Sequence, residues 1–225
     1  LVTDKPGGGK QLLQARWHND GAYMAILDGK TLTQTGQGFV EVPAGHTYVS
    51  GWDCMNREDN FYADLDGDGS KEVVSAINGT WNRVTIWNTA GQPLANAQFG
   101  PGTTEPRSNL RQMDLGDLDG DGKLEIAVAT AQGLVVVLDH KAQKLWARRL
   151  PSPPQVLRVV REATGKAGLI VGCENGLVLA LDGQGQVVKQ GRVRGKPTAL
   201  QVLPGAAGEM AVIVSDTGAV AGFRR

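Results

Sequence analysis

The 225 residues carry 23 basic and 23 acidic side chains, with no Lys/Arg run longer than Arg148-Arg149 or Arg224-Arg225, so the chain offers no net field to a polyanion and nucleic-acid binding is disfavoured. With 41% apolar residues, 20% charged residues and 31 glycines, the chain can bury a sizeable core and supply the turns an all-β fold needs, which excludes intrinsic disorder. No apolar run reaches the length of a transmembrane helix.

Leu1-Val2-Thr3 reads as a first strand, followed by the turn Asp4-Lys5-Pro6-Gly7-Gly8-Gly9 and by an apolar strand, Ala22-Tyr23-Met24-Ala25-Ile26-Leu27-Asp28. The start at Leu1, with neither an initiator Met nor a signal peptide, implies a processed or excerpted chain. A long connection is expected from Phe39 to Asn60, and a second from Pro101 to Arg111. Between them they bring Tyr48, Trp52, Asp53, Arg57, Glu58, Arg107 and Arg111, a mixture of aromatic and charged groups suited to recognising a protein or a sugar.

Two copies of one acidic segment follow these connections: Asp64-Leu65-Asp66-Gly67-Asp68-Gly69-Ser70-Lys71-Glu72 and Asp117-Leu118-Asp119-Gly120-Asp121-Gly122-Lys123-Leu124-Glu125. Carboxylates at positions 1, 3 and 5 of a tight turn converge on one point as hard oxygen ligands. Glycines at positions 4 and 6 allow positive φ, so the backbone can curl around an ion. A main-chain carbonyl at position 7 (Ser70 or Lys123) and the acid at position 9 (Glu72 or Glu125) complete the set for calcium, which takes roughly six to eight oxygens. In EF-hands and dockerins the closing acid stands at position 12 and a helix follows. Here position 12 is Ser75 or Val128, and β-branched strands follow. The competing reading is a metal-free Asp-Gly turn, and the near identity of two nine-residue copies favours calcium at two sites.

The strand ending at an Asp or Asn recurs as Val84–Asn88, Leu134–Asp139 and Leu177–Asp182, with a last copy at Ala219–Arg224. The anchors Asp28, Asn88, Asp139, Asp182 and Arg224 are 60, 51, 43 and 42 residues apart, a unit of about 40 with early insertions. Within the third unit the strands are read as Gln112–Gly116, Leu124–Thr130, Leu134–Asp139 and Lys144–Arg149. Four short antiparallel strands at this period predict a β-propeller with about five visible blades, at residues 1–38, 58–100, 110–150, 154–193 and 196–225. They form one domain over 1–225, either a ring of its own or part of a larger one. The fifth unit stops at its third strand, so a fourth is expected from a partner segment, from a continuation of the chain, or from a different use of the N-terminal strand.

These loops resemble the FG-GAP or VCBS repeats of propellers such as integrin α-subunit heads, whose blades carry D-x-D-G-D-G-x-x-[DE] between first and second strands; rhamnogalacturonan lyases are similar in this respect. The resemblance is strong over residues 58 to 150, while Gly133 to Trp146 also resembles a quinoprotein-like blade. It implies a calcium-stabilised binding or assembly module; the alternative is part of a polysaccharide lyase or of a quinoprotein-like enzyme.

Catalytic signals are sparse. His18, His46 and His140 fall in different places with no metal-ligand spacing, there is no G-x-S-x-G elbow, and Gly7-Gly8-Gly9-Lys10 lacks the rest of a phosphate loop, so a non-enzymatic role is favoured. Cys173 is expected as a buried core residue and Cys54 within a connection, while Trp87 and Trp146 are expected to pack within or between blades. Calcium sites of extracellular modules bind with dissociation constants on the order of 0.1 to 1 mM, which points to the periplasm, cell surface or extracellular medium.

Overall fold

The computed structural model of the chain describes residues 1–15, 22–39, 55–77, 82–99 and 110–225. Among them all regular structure is strand, arranged as five antiparallel sheets in simple meander order. The chain divides into two compact units, Leu1–Ser108 and Asn109–Arg225.

The first unit holds two sheets, β1 (Val2–Asp4), β2 (Lys10–Ala15), β3 (Ala22–Asp28) and β4 (Gln34–Phe39), then β5 (Met55–Ala63), β6 (Glu72–Ile77), β7 (Arg83–Trp87) and β8 (Pro93–Gln98). The second unit holds three. They are β9 (Leu110–Gly116), β10 (Glu125–Thr130), β11 (Leu134–Leu138) and β12 (Lys144–Arg149); β13 (Pro154–Arg161), β14 (Ala167–Cys173), β15 (Leu177–Leu181) and β16 (Val187–Arg192); and the three-stranded β17 (Pro197–Leu203), β18 (Met210–Ser215) and β19 (Val220–Phe223). Sheet boundaries follow the sequence period closely, and in the third blade every predicted strand lies within two residues of the observed one. Leu1-Val2-Thr3 does contribute a first strand, because β1 pairs with β2.

The burial patterns explain which strand takes which place. β10 and β14 are buried along their whole length, so both of their faces are covered; β14 is apolar throughout and β10 is apolar between Glu125 and Thr130. The fourth strands β8 and β12 lie at the sheet edge and show exposed residues at alternate or near-alternate positions. In the second unit one apolar cluster joins the third and fourth blades through Val135, Val137, Leu157, Leu169 and Leu181, with Cys173 inside it. Another joins the fourth and fifth through Val156, Ile170, Leu200 and Ile213.

Three anchors of the sequence period, Asn88, Asp139 and Asp182, are turn-makers by the same device. Oδ1 of Asn88 accepts the N–H groups of Ala90 and Gln92, that of Asp139 those of Lys141 and Gln143, and that of Asp182 those of Gln184 and Gln186. A short side-chain acceptor two to four residues upstream of free amides is what allows the third strand to reverse into the fourth.

Two sequence expectations change. The connection after the first blade ends before Met55, so Arg57 and Glu58 belong to strand β5. Arg111 likewise lies in β9, exposed on the strand and outside the connection that precedes it. Tyr48, Trp52, Asp53 and Arg107 lie outside the described residues, as do His18, His46 and Cys54.

Candidate metal centres

Each acidic segment joins the first strand of a blade to the second, and the two loops are built by the same five hydrogen bonds. In the second blade Asp64 accepts from the N–H groups of Gly67 and Gly69 with its two oxygens, at 2.7 and 2.9 Å. Asp66 accepts from Asp68, Asp68 accepts from Ser70, and Glu72 accepts from Leu65 at 3.0 Å. In the third blade Asp117 accepts from Gly120 and Gly122 at 2.6 and 3.1 Å, Asp119 from Asp121, Asp121 from Lys123, and Glu125 from Leu118 at 2.7 Å.

The glycines are required by backbone direction. Gly67, Gly69, Gly120 and Gly122 have φ of 78°, 89°, 85° and 87°, in the left-handed region, and a Cβ on Gly69, Gly120 or Gly122 would meet nothing within 4 Å. The curl they permit turns successive N–H groups inward to the aspartates.

Among the described residues, Asp64, Asp66 and Glu72 form one group with carboxylate oxygens within 4.8 Å of one another, and Asp117, Asp119 and Glu125 form another. Asp68, Asp121, Ser70 and Lys123 lie on the same loops but outside these trios. Burial raises the carboxyls of Glu72 and Glu125 above the usual range; the Leu65 or Leu118 N–H opposes this and the three aspartates of each loop add to it. A cation at the trio would reverse that balance, since it favours every carboxylate at once. The donors are all hard oxygens, with neither nitrogen nor sulfur, which fits a cation of the calcium or magnesium type.

Position 2 of the loop escaped the sequence reading. Leu65 and Leu118 are 1% and 6% exposed, and their N–H groups anchor the closing glutamates. The signal was present, since both copies carry Asp-Leu-Asp and an apolar residue between two chelating acids has no solvation reason to be there. Trp87 is wholly buried, whereas Trp146 reaches from the third blade to the fourth and donates its indole N–H to the Gly183 carbonyl at 2.8 Å. Cys173 is a free buried thiol, pushed up to about 11 by burial, and so inert.

Residues 64–128, from the first acidic loop through the second, match the model of the FG-GAP-like repeat. Among curated proteins none matches the sequence. A solved structure of BBS1N in complex with ARL6DN, soaked with lead, is similar over 95% of this chain at 20% identity, with a TM-score of 0.63. This chain spans about three-fifths (61%) of that one. A protein of unknown function from Bacteroides caccae is similar at 13% identity over 95% of this chain and 69% of its own, with a TM-score of 0.50. The all-β sheets are propeller blades, and residues 64–128 match the FG-GAP-like repeat found in propellers of this kind.

Proposed function

We propose that this chain is a calcium-stabilised propeller module that works by binding a protein partner. The observation that carries the cation is the recurrence of one trio, Asp64/Asp66/Glu72 and Asp117/Asp119/Glu125, each on a loop with the same five hydrogen bonds. Calcium suits it better than magnesium, because a loop rich in carboxylates meets calcium's high and variable coordination number, whereas magnesium keeps several waters and demands a near-ideal octahedron. Asp64, Asp66, Asp68, Glu72 and the Ser70 carbonyl would hold one ion; Asp117, Asp119, Asp121, Glu125 and the Lys123 carbonyl would hold the other. Bound calcium neutralises the loop and pins the hairpin between first and second strands.

A rigid scaffold with no assembled nucleophile or base among its described residues suits recognition better than catalysis. A propeller of the same fold occurs in a complex with a protein, which supports a protein partner without naming one. Tyr48, Trp52, Asp53, Arg57, Glu58, Arg107 and Arg111 are the sequence-based candidates for that contact. Loops of this type filled at millimolar calcium imply work outside the cytosol.

Thermal unfolding in calcium and in excess EGTA, with Asp66→Ala/Asp119→Ala as control, tests the cation. Calcium at about 100 times its dissociation constant should raise the midpoint by on the order of 10 °C over the two sites, and the double variant should lose that gain. An unshifted midpoint together with no calcium retained on equilibrium dialysis would refute the reading.

A further inference from the structure

We infer that the acidic loop of the third blade is also a latch onto the fourth, so that a cation bound there is sensed at the turn Asp182–Gln186. The inference rests on the cation reading above and concerns what the loop does to its neighbour.

The turn is gripped from two sides. From β12, Trp146 donates to the Gly183 carbonyl and Arg148 donates to the Gly185 carbonyl, both at 2.8 Å. The same indole forms a floor under Gly185, where a Cβ would come within 2.9 Å of ring carbons. From the acidic loop, the Leu118 carbonyl abuts Gly183 so closely that a Cβ on that glycine would overlap the oxygen. Only a residue without a side chain fits between the loop and the clamp.

Leu118 is the connecting piece. Its side chain is buried in the cluster shared by the third and fourth blades, beside Val159 and Leu181. Its N–H is held by Glu125, a member of the carboxylate trio, and its carbonyl is the surface on which Gly183 rests. On its open side the loop borders a cleft of about 310 Å³ lined by Asp117, Asp119, Lys166, Asp182, Gln184 and Arg225. Asp117 and Asp119 therefore have room to move away from the buried Glu125 when no cation neutralises them. Their withdrawal loosens the loop on either side of Leu118, and with it the edge against Gly183; a cation draws Asp117 and Asp119 back to Glu125 and seats the turn. Leu118 thus gives one bistable contact that both the cation and the neighbouring turn bias.

Hydrogen exchange on the intact Asp66→Ala chain, which leaves the third-blade loop as the only intact acidic loop, reads this directly with calcium binding measured in parallel by calorimetry. Calcium should slow exchange about tenfold at Gln184, Gly185 and Gln186, whose N–H groups close the turn on Asp182, as well as at residues 117–125. The fifth-blade turn, closed by the Gly218 N–H on Ser215, should not change. Coupling is reciprocal, so Trp146→Phe, which keeps the aromatic floor but removes the indole N–H, should weaken calcium binding about fivefold in a protein that remains folded by circular dichroism. Calcium bound with protection confined to 117–125, or wild-type affinity in Trp146→Phe, overturns the latch and leaves the cation site standing. No calcium bound overturns both.

Discussion

The Asp114 carboxylate accepts the backbone N–H of Val159 at 2.8 Å, one strand repeat along from Gln112 Oε1, which accepts that of Leu157 at 2.6 Å. β9 and β13 belong to different sheets, so two side chains at i and i+2 stand in for the carbonyls of a neighbouring strand. Arg158 answers by donating to the Met113 carbonyl at 3.3 Å. The two blades are joined by polar pairing as well as by the apolar cluster.

Burial raises the Asp114 carboxyl above the ordinary range, against the pull of the Val159 and Leu115 N–H groups and of the Arg158 and Arg161 charges. A carboxyl raised on folding holds its proton more tightly in the native state, so its contribution to stability is greatest at acid pH and declines as pH rises through the native value. Urea unfolding in EGTA at a series of pH values from about 4 to 7 should therefore show wild type losing stability relative to Asp114→Asn as pH rises. A difference independent of pH would remove burial as the governing effect.

Glu125 is raised for the same first reason, and its neighbours are the loop aspartates. Glu125→Gln keeps an oxygen for the Leu118 N–H while deleting one charge of the trio. In EGTA the variant should be more stable than wild type by about 1 kcal/mol, because a buried charge facing the loop aspartates is gone; in calcium it should be less stable, because a ligand is gone. The same sign in both buffers would show that the glutamate serves the hairpin alone.

Leu32 stands at the end of the first blade's turn with φ of 59° and is 59% exposed. Its N–H closes the turn on the Asp28 carbonyl at 2.9 Å, so the left-handed backbone is fixed while the side chain buries little. Corresponding turns use Gly91 and Gly185 in the second and fourth blades, with φ of 81° and 78°, and Ala142 in the third, with φ of 58°. Leu32→Gly should stabilise the chain by about 0.5 to 1 kcal/mol, the relief of left-handed strain less the entropy glycine gains when unfolded. A lowered midpoint in thermal unfolding would show that the side chain packs more than its exposure suggests.

The period and the strands were legible because central strands buried on both faces must be largely apolar, as β14 is throughout and β10 is from Ile126 to Ala129, and because turn chemistry punctuates them at fixed intervals. The acidic loops were legible because chelation and positive φ both leave residue signatures. The packing role of Trp146 was legible, but the polar contacts between blades were not, since Gln112, Asp114 and the Trp146 indole N–H act on carbonyls and N–H groups about 40 residues away, and backbone partners carry no identity in a sequence. Whole-chain charge was misleading in one respect: Leu1–Ser108 holds 8 basic and 12 acidic residues while Asn109–Arg225 holds 15 and 11, so zero overall conceals opposite signs in the two units.

Trp87 and Ser75 make the sharpest case of a buried polar pair within one blade. Both are fully buried, and the indole N–H donates to Ser75 Oγ at 2.9 Å across β6 and β7. Ser75→Ala leaves the N–H without this acceptor where water does not reach, at a cost of about 1 to 3 kcal/mol. Trp87→Phe removes the donor and part of the largest side chain of that core, and should cost a similar amount or more. The double variant discards donor and acceptor together, so its loss should fall short of the sum of the singles by about 1 kcal/mol. Urea unfolding of all four proteins in saturating calcium measures this directly. Strict additivity would mean that the hydroxyl and the indole do not depend on each other.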